Sequence, residues 1–193
     1  MQRQPRIGVL ALQGDFEAHA RMLRSVGAEP RIVRTPRDLD GLDGLIIPGG
    51  ESTTMTLGIE REGLAGPLRD LITAGMPVLG TCAGMIMLDR AHLDVLDVDA
   101  RRNAFGRQVK SFEADLTLSG FGAEPLRAVF IRAPWVERVG DEIEILAEHE
   151  GHAVALAQEN ILAVAFHPEL SGDTRLHEWL VARATAGATQ AAA

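Results

Sequence analysis

Residues 78–88 read VLGTCAGMIML and contain the only cysteine of the 193-residue chain. The apolar residues before Cys82 are typical of a buried strand, and those after it are typical of a helix. A strand, a Gly-x-Cys-x-Gly turn and a helix form a nucleophile elbow, in which Gly80 and Gly84 relieve the crowding of a sharp turn. The pattern predicts that the Cys82 sulfur stands at the carboxyl edge of a sheet, beside a helix N-terminus that favours the thiolate. The amide of Ala83 is then placed to donate to an oxyanion.

The segments around the elbow alternate between strand and helix patterns in the first half of the chain. Asp15 is a typical N-cap for the first helix, and Gly27 is a typical stop signal. Continuous apolar strands between helices indicate a parallel sheet that is covered on both faces. The predicted strands are RIGVLAL (6–12), PRIVRT (30–35), GLIIPGG (44–50) and PVLGT (77–81), and the predicted helices cover 16–27, 53–60 and 64–74.

The second half contains strand patterns with turn signals between them and no room for helices. This arrangement predicts an antiparallel extension of the parallel core, followed by a helix over 173–184 and a frayed tail from about 185. No repeat, linker or low-complexity segment interrupts the chain, so residues 1–193 are expected to form a single domain. The strand patterns are SFEADLTL (111–118), RAVFIRAP (127–134), EIEILAEH (142–149), HAVALAQ (152–158) and ILAVAFH (161–167).

A candidate partner for the cysteine lies in AVAFHPEL (163–170), at the expected end of the last strand. His167 and Glu169 are two residues apart, and such residues point to the same side of an extended strand. His167 is placed to take the thiol proton while Glu169 orients the imidazole, which is triad chemistry on a cysteine. Alone, Cys82 is typical of a small buried hydrophobe, His167 of a core histidine and Glu169 of a solvated charge. The combination is much rarer and favours a catalytic site.

Composition excludes several function classes. The chain carries 27 acidic against 19 basic residues, a net charge of −8, and no basic stripe. This balance argues against a nucleic-acid partner or an anionic membrane surface. No apolar stretch is long enough to span a bilayer, and no signal-peptide segment is expected at the start. A single cysteine suits a reducing compartment, which predicts a cytoplasmic protein.

The residues GTCAG (80–84) and FHPE (166–169) together resemble the class I glutamine amidotransferases, whose Cys-His-Glu triad hydrolyses the side-chain amide of glutamine. Further segments are similar to the glutaminase subunits of pyridoxal 5′-phosphate synthases, a family within that class, and keep their order over nearly the whole chain. The LQG start, GGEST and FIRAP are characteristic of this family. The segments are LALQGDFEAH (10–19), PGGEST (48–53), RRNAFGRQ (101–108), SFEADL (111–116) and FIRAP (130–134).

The resemblance implies a fold, a reaction and a set of site residues. The implied fold is an α/β three-layer sandwich with a mostly parallel central sheet. The implied reaction converts L-glutamine and water into L-glutamate and ammonia. A separate synthase subunit then combines the ammonia with a pentose phosphate and a triose phosphate to make pyridoxal phosphate. No cofactor or metal is implied. The triad positions fall on Cys82, His167 and Glu169, and the glutamine-binding positions fall on Gly50, Glu51, Ser52, Arg102, Ile131 and Arg132.

Several assignments stay open at the level of sequence. Gly50 is a candidate second oxyanion donor, although the same segment also fits a plain turn with Ser52 or Thr53 as the helix N-cap. Arg102 suits the carboxylate of a free amino acid, but Arg101 beside it competes for the role. Gln13 fits a sensor of the partner or of the oxyanion loop, and fits a solvated turn nearly as well. Two further features receive structural interpretations: His19 as core filling, and EHEGH (148–152) as a tight hairpin rather than a metal site.

Three alternative functions differ from the favoured one. A sister glutaminase would serve the synthesis of histidine, guanylate or aminodeoxychorismate, and the GGEST and FIRAP segments speak against it. A redox or stress sensor on the same fold would not need the strand-end His-x-Glu. An assembly subunit with a decayed site would not keep an intact triad.

Overall fold

The computed structural model describes residues 3–105 and 111–191. Within these ranges the chain forms eleven strands, six α-helices and one 3-10 helix at Pro36–Leu39. The strands are β1 (Arg6–Leu10), β2 (Glu29–Val33), β3 (Gly44–Ile47), β4 (Val78–Thr81), β5 (Val98–Arg101), β6 (Ser111–Leu116), β7 (Leu126–Ile131), β8 (Trp135–Val139), β9 (Glu144–His149), β10 (His152–Gln158) and β11 (Ile161–Val164). The helices are α1 (Phe16–Ser25), α2 (Ser52–Arg61), α3 (Ala65–Thr73), α4 (Ala83–Leu88), α5 (Pro168–Ser171) and α6 (Arg175–Ala191).

Nine of the described strands form one sheet in the order β2-β1-β3-β4-β11-β10-β8-β5, with β9 paired to β10. The strands from β2 to β11 in this order run parallel. Beyond β11 every pairing is antiparallel. The predicted parallel core with an antiparallel extension is therefore confirmed. β4 and β11 are adjacent, so the residues that follow these two strands meet at one edge of the sheet.

The central strands form the core because their side chains are apolar on both faces. Every residue of β3, β4 and β11 is buried. A parallel sheet needs such continuous apolar strands because helices cover both of its faces. Burying one large aliphatic side chain contributes about 1.5–3 kcal/mol to folding stability. These strands therefore form a stable support for the residues at their carboxyl ends.

The helices cover the sheet as the alternating pattern predicts. α1 and α6 contact each other and pack on β1 to β4, whereas α4 packs on β3, β4 and α2. Asp15 is the N-cap of α1, and its carboxylate accepts the Ala18 N–H at 3.1 Å. The fold is the α/β, mostly parallel sandwich expected of a class I glutamine amidotransferase.

Four details differ from the predictions. β5 and β8 were not predicted, because VDAR and WVERV are short and interrupted by charged residues. β6 and β7 form a separate two-stranded sheet instead of joining the extension. The N-cap of α2 is Glu51, not Ser52 or Thr53. Residues 185–191, which were expected to form a frayed tail, continue the last helix to Ala191, because no proline interrupts this segment and alanine, the best helix former, recurs in it.

The tight hairpin predicted at EHEGH is confirmed. Glu150 and Gly151, between β9 and β10, both have positive φ, at 51° and 79°. A two-residue turn with positive φ at both positions matches the twist of the strands that it joins.

Two parts of the predicted pattern lie outside the described residues. They are residues 106–108 of the RRNAFGRQ segment and residues 192–193 of the predicted tail. In the part of the chain that the structure describes, no helix is both long enough and apolar enough to cross a membrane.

Candidate active site

Cys82 lies between β4 and α4, where the chain turns sharply. Its backbone has φ 50° and ψ −110°, an unusual conformation for a residue with a side chain. The amide donates to the Val164 carbonyl at 2.8 Å, which ties the turn to β11. A Cβ on Gly84 would lie 1.8 Å from the Ile47 carbonyl oxygen, and one on Gly80 would lie 2.6 Å from the Leu88 side chain. The predicted need for glycine on both sides of the cysteine is therefore confirmed.

The His167 imidazole is held by Glu169 on the side away from the cysteine. Its Nδ1 lies 2.8 Å from Oε1 of Glu169. The backbone that brings His167 and Glu169 together differs from the predicted extended strand. β11 ends at Val164, and Glu169 lies in the short helix α5. Pro168 begins this helix, and proline suits the first helical position because no partner for its nitrogen is required there. The expected side-by-side arrangement thus comes from a helix start rather than from an extended strand.

The surroundings of His167 favour its protonated form. Burial by itself would lower its pKa, but hydrogen bonds to Cys82 and Glu169 and the negative charges of both raise the pKa to about 10. For Glu169, burial would raise the pKa, but the hydrogen bond from His167 and the influence of nearby His19 lower it. The arrangement is suited to a thiolate–imidazolium pair with a carboxylate behind it.

A cleft of about 250 Å³ opens at this edge of the sheet. Cys82 and His167 line it, whereas Glu169 lies behind His167 with only 9% of its surface exposed. The cleft is large enough for a small polar metabolite. All the residues predicted to bind glutamine or to form the oxyanion site also line it, namely Gly50, Glu51, Ser52, Ala83, Arg102, Ile131 and Arg132.

The structure distinguishes the surroundings of Arg101 and Arg102, between which the sequence could not choose. The Arg101 guanidinium lies 3.0 Å from the Glu137 carboxylate, on the β5–β8 pair. Arg102 lines the cleft, where Nη1 donates to the Thr53 hydroxyl at 3.1 Å and Nη2 lies 3.6 Å from the Glu51 carboxylate. Of the two arginines, only Arg102 therefore lines this cleft.

The carboxylate of Glu51 is held by the start of α2. It accepts hydrogen bonds from the Thr53 and Thr54 amides at 3.0 Å and 2.8 Å. These hydrogen bonds and one from the Thr54 hydroxyl lower the pKa of Glu51 to about 2. The carboxylate therefore remains charged beside Arg102 over the physiological pH range.

The loop after β3 approaches the catalytic pair very closely. A Cβ on Gly49 would lie 2.5 Å from Cε1 of His167, so only glycine fits there without displacement. Gln13 supports the same loop, since its side-chain carbonyl accepts the Glu51 amide. This hydrogen bond favours a contact of Gln13 with the loop after β3 over a solvated turn. Its position shortly after β1, at the carboxyl edge of the sheet, is the signal that pointed there.

Two residues of the site were not recognised from the sequence. Asn103 lines the cleft with φ 48° and follows β5, which was itself not predicted. His19 is fully buried, as the core interpretation requires, but its Nε2 lies 3.3 Å from Oε2 of Glu169. No local signal could have found this contact, because the two residues are 150 positions apart in the chain. Among the described residues, no group of three or more His, Cys, Asp or Glu side chains is arranged to hold a metal ion.

The fold and this cleft define the class: an α/β protein of the class I glutamine amidotransferase type. A family model supports a narrower assignment over residues 9–186, which is most of the chain. The chain belongs to the SNO glutamine amidotransferase family.

Individual relatives agree with this assignment. The chain is 51% identical over 192 residues to the pyridoxal 5′-phosphate synthase subunit PdxT of Mycobacteroides abscessus, covering 95% of this chain and 99% of that protein. It is 54% identical over 182 residues to the subunit of the same name from Streptomyces avermitilis, covering 90% of each chain.

Solved structures show the same architecture. A crystal structure of a glutamine amidotransferase superimposes with a TM-score of 0.86 at 42% identity, covering 92% of this chain and 98% of that one. PurLQS from Thermotoga maritima superimposes with a TM-score of 0.74 at 18% identity, covering 97% and 100% of the two chains. At that identity the second likeness concerns the fold alone.

Proposed function

We propose that this protein is the glutaminase subunit of a pyridoxal 5′-phosphate synthase. It hydrolyses L-glutamine to L-glutamate and ammonia at Cys82 and supplies the ammonia to a separate synthase subunit for vitamin B6 synthesis. The observation that carries the proposal is the Cys82–His167–Glu169 arrangement at the cleft, on a chain about half identical to two PdxT subunits. We further propose that residues 1–193 act as one glutaminase domain in the cytoplasm.

The first half-reaction forms a thioester. The Cys82 thiolate attacks the side-chain amide carbon of glutamine, and the carbonyl oxygen becomes an oxyanion that the amides of Ala83 and Gly50 stabilise. One such donor is commonly worth about 3 kcal/mol of barrier reduction. The His167 imidazolium then donates its proton to the amide nitrogen, the carbon–nitrogen bond breaks and ammonia leaves. A γ-glutamyl thioester on Cys82 and a neutral His167 remain.

The second half-reaction releases glutamate. Neutral His167 takes a proton from a water molecule as the water oxygen attacks the thioester carbon. The tetrahedral intermediate collapses, the carbon–sulfur bond breaks, and the Cys82 thiolate returns opposite the His167 imidazolium. Glu169 stabilises the imidazolium in both half-reactions and fixes which ring nitrogen faces the cysteine.

The substrate is recognised by its charged end. A guanidinium group binds a carboxylate by two parallel hydrogen bonds, and Arg102 and Arg132 both line the cleft. We assign the α-carboxylate of glutamine to this end. Gly50, Glu51, Ser52 and Ile131 line the remaining wall. We assign to their backbone the role of orienting the amide towards Cys82.

The direct test is glutamate release from glutamine by the purified protein, alone and with the synthase subunit from the same source. Free glutaminase activity would waste glutamine, so we expect turnover to appear or rise sharply when the synthase subunit is added. Cys82→Ala should abolish turnover while leaving the fold intact by circular dichroism. Turnover that survives in Cys82→Ala would overturn the proposed nucleophile, and no turnover with the synthase subunit would overturn the proposed partner.

A further inference from the structure

Two buried histidines lie directly behind the triad. His19 on α1 and His177 on α6 are both fully buried. Nδ1 of His19 lies 3.0 Å from Nε2 of His177. On its other side, Nε2 of His19 lies 3.3 Å from Oε2 of Glu169 and 3.2 Å from Oγ1 of Thr81. Burying two imidazoles is costly unless their polar atoms are paired, so this contact requires an explanation.

Thr81 connects this pair to the other half of the site. Its hydroxyl oxygen accepts the Gly49 amide at 3.1 Å, and Gly49 precedes the proposed oxyanion donor Gly50. His19 thus contacts both the carboxylate that holds His167 and the hydroxyl that holds the oxyanion loop. No other described residue joins these two parts through its side chain in this way.

The positions of the polar atoms favour one tautomer of His19. A lone pair on Nε2 would face the Glu169 carboxylate, and His177 would then carry its proton on Nδ1, a buried atom without a hydrogen-bond partner. With the proton on Nε2 of each ring, His177 donates to Nδ1 of His19. His19 then donates to the Thr81 hydroxyl, and the positive end of the same N–H dipole faces the Glu169 carboxylate. This second arrangement leaves no buried N–H unpaired.

Both rings are held in the neutral form. Burial lowers the pKa of His19, although the charges of Glu169 and Asp15 oppose this and that of His167 adds to it. Burial and nearby His19 lower the pKa of His177 to about 3, against the opposing charges of Glu169 and Asp173. A neutral ring with a fixed N–H provides a hydrogen-bond dipole without bringing a second buried charge to the triad.

We propose that His19 is a positioning residue of the glutaminase site, locked by His177 as the neutral Nε2–H tautomer. Its N–H lies beside Oε2 of Glu169, at 3.3 Å between the two heavy atoms, and stabilises this buried oxygen, for which no hydrogen-bond partner is found among the described residues. The same N–H anchors Thr81 and, through it, the loop at Gly49. The inference deepens the proposed function and rests on it only for its kinetic consequences.

The tautomer is tested on the wild-type chain without any substitution. Selective ¹⁵N-histidine labelling and long-range ¹⁵N–¹H correlation spectra report the protonated nitrogen of each of the six histidines. We expect His19 and His177 to carry their protons on Nε2 and to be neutral at pH 7. An Nδ1 proton on His19, or a charged His19, would overturn the proposal even if the protein proved to have no glutaminase activity.

The role in catalysis is tested by a matched pair of substitutions, assayed with the synthase subunit present. The amide nitrogen of Gln reaches the position of Nε2 of histidine, whereas the shorter Asn reaches only the position of Nδ1. We expect His19→Asn to lower kcat by about tenfold or more with little change in KM, because a hydrogen bond to a charged group is lost. His19→Gln should recover most of the rate.

The pH profile separates positioning from general destabilisation. Without the N–H of His19 the Glu169 carboxylate is less stabilised, so the acid limb of kcat/KM should move to higher pH in His19→Asn but not in His19→Gln. Equal kcat losses in both variants, or a loss confined to KM, would refute the role of the N–H. If the His19 variants do not fold, His177→Gln and His177→Leu are compared instead. The first keeps a donor to Nδ1 of His19 and the second removes it, so this pair also tests the N–H of His19. If the wild type is active but the two variants of each pair have the same kcat and the same pH profile, the proposed role of His19 is rejected. The proposed function would then still hold.

Discussion

Gly49 and the His167 ring are so close that a Cβ on the glycine would lie 2.5 Å from Cε1 of the imidazole. The same Cβ would lie 3.2 Å from Cβ of Cys82, so the loop after β3 contacts both members of the catalytic pair. Gly49 is buried, and its φ is not in the left-handed region. The position therefore requires glycine for its lack of side-chain volume and not for its conformational freedom.

Gly49→Ala should reduce kcat strongly while the protein stays folded. The added methyl group must displace the imidazole or the loop, and a shift of about 1 Å in a reacting group can cost about a hundredfold in rate. Glutaminase assays and thermal unfolding of the same preparation measure the two effects. The control is Gly66→Ala in α3, where a Cβ meets nothing within 4 Å and no rate change is expected. An unchanged kcat in Gly49→Ala would show that the loop yields easily.

The protonation of His167 should depend on the cysteine. Its pKa is raised to about 10 by Cys82 and Glu169 against the effect of burial, so the imidazolium is expected to persist through neutral pH and to be lost as the pH rises through about 10. Cys82→Ala removes the hydrogen bond and the thiolate charge, so the pKa should fall. NMR titration of His167 measures it, and Cys82→Ser, which keeps a hydrogen-bond partner, should give a smaller fall. The same pKa in all three proteins would contradict a thiolate–imidazolium pair.

The two neighbouring arginines should differ in their effect on glutamine binding. Arg102→Ala removes a cation from the cleft and should raise KM about tenfold or more, since a hydrogen bond to a charged group is worth about 1.5–3 kcal/mol. Arg101→Ala breaks an exposed pair with Glu137, and such pairs contribute about 0–1 kcal/mol to stability. Its KM should not change. Steady-state kinetics of both variants decide the matter, and equal KM values for the two would remove Arg102 from the substrate site.

The N-cap of α2 should make stability depend on acid pH. The pKa of Glu51 is lowered from 4.5 to about 2 by its hydrogen bonds to α2, so its carboxylate stabilises the folded state above about pH 4.5. This contribution is lost as the pH falls towards 2. Wild type should therefore have a higher Tm than Glu51→Gln at neutral pH, and the difference should shrink over that interval. Because the carboxylate is exposed, added salt should also reduce the difference. A Tm difference that is constant with pH would show that the charge of Glu51 does not support the helix.

The catalytic pattern was readable from short stretches because its chemistry is local. The elbow needs glycine on both sides of Cys82, and the His-Pro-Glu order places base and carboxylate together whether the segment is a strand or a helix start. The prediction of an extended strand at His167 was wrong, yet the predicted pairing with Glu169 is present because proline at the first helical position also brings the two side chains together.

Other features depend on strand pairing and could not be read from the sequence. β5 and β8 have no continuous apolar run and are recognisable only through their partners. Their pairing places Arg101 against Glu137 and leaves Arg102 at the cleft. Arg101 is the last residue of β5 and Arg102 follows it, so the extent of this pairing determines which arginine lies beside Glu137.

The sequence by itself determined the parallel core, the elbow at Cys82 and the candidate triad, because these follow from apolar periodicity, glycine spacing and residue type within short windows. Only the tertiary structure decided which arginine lines the cleft, that Gln13 supports the loop after β3, and that His19 and His177 lie behind Glu169. Those contacts join residues that are far apart in the chain, and no local preference encodes them. They exist because α1, which packs on β1 and β2, contacts α6, which packs on β3 and β4, and together the two helices bring two buried polar rings to one carboxylate.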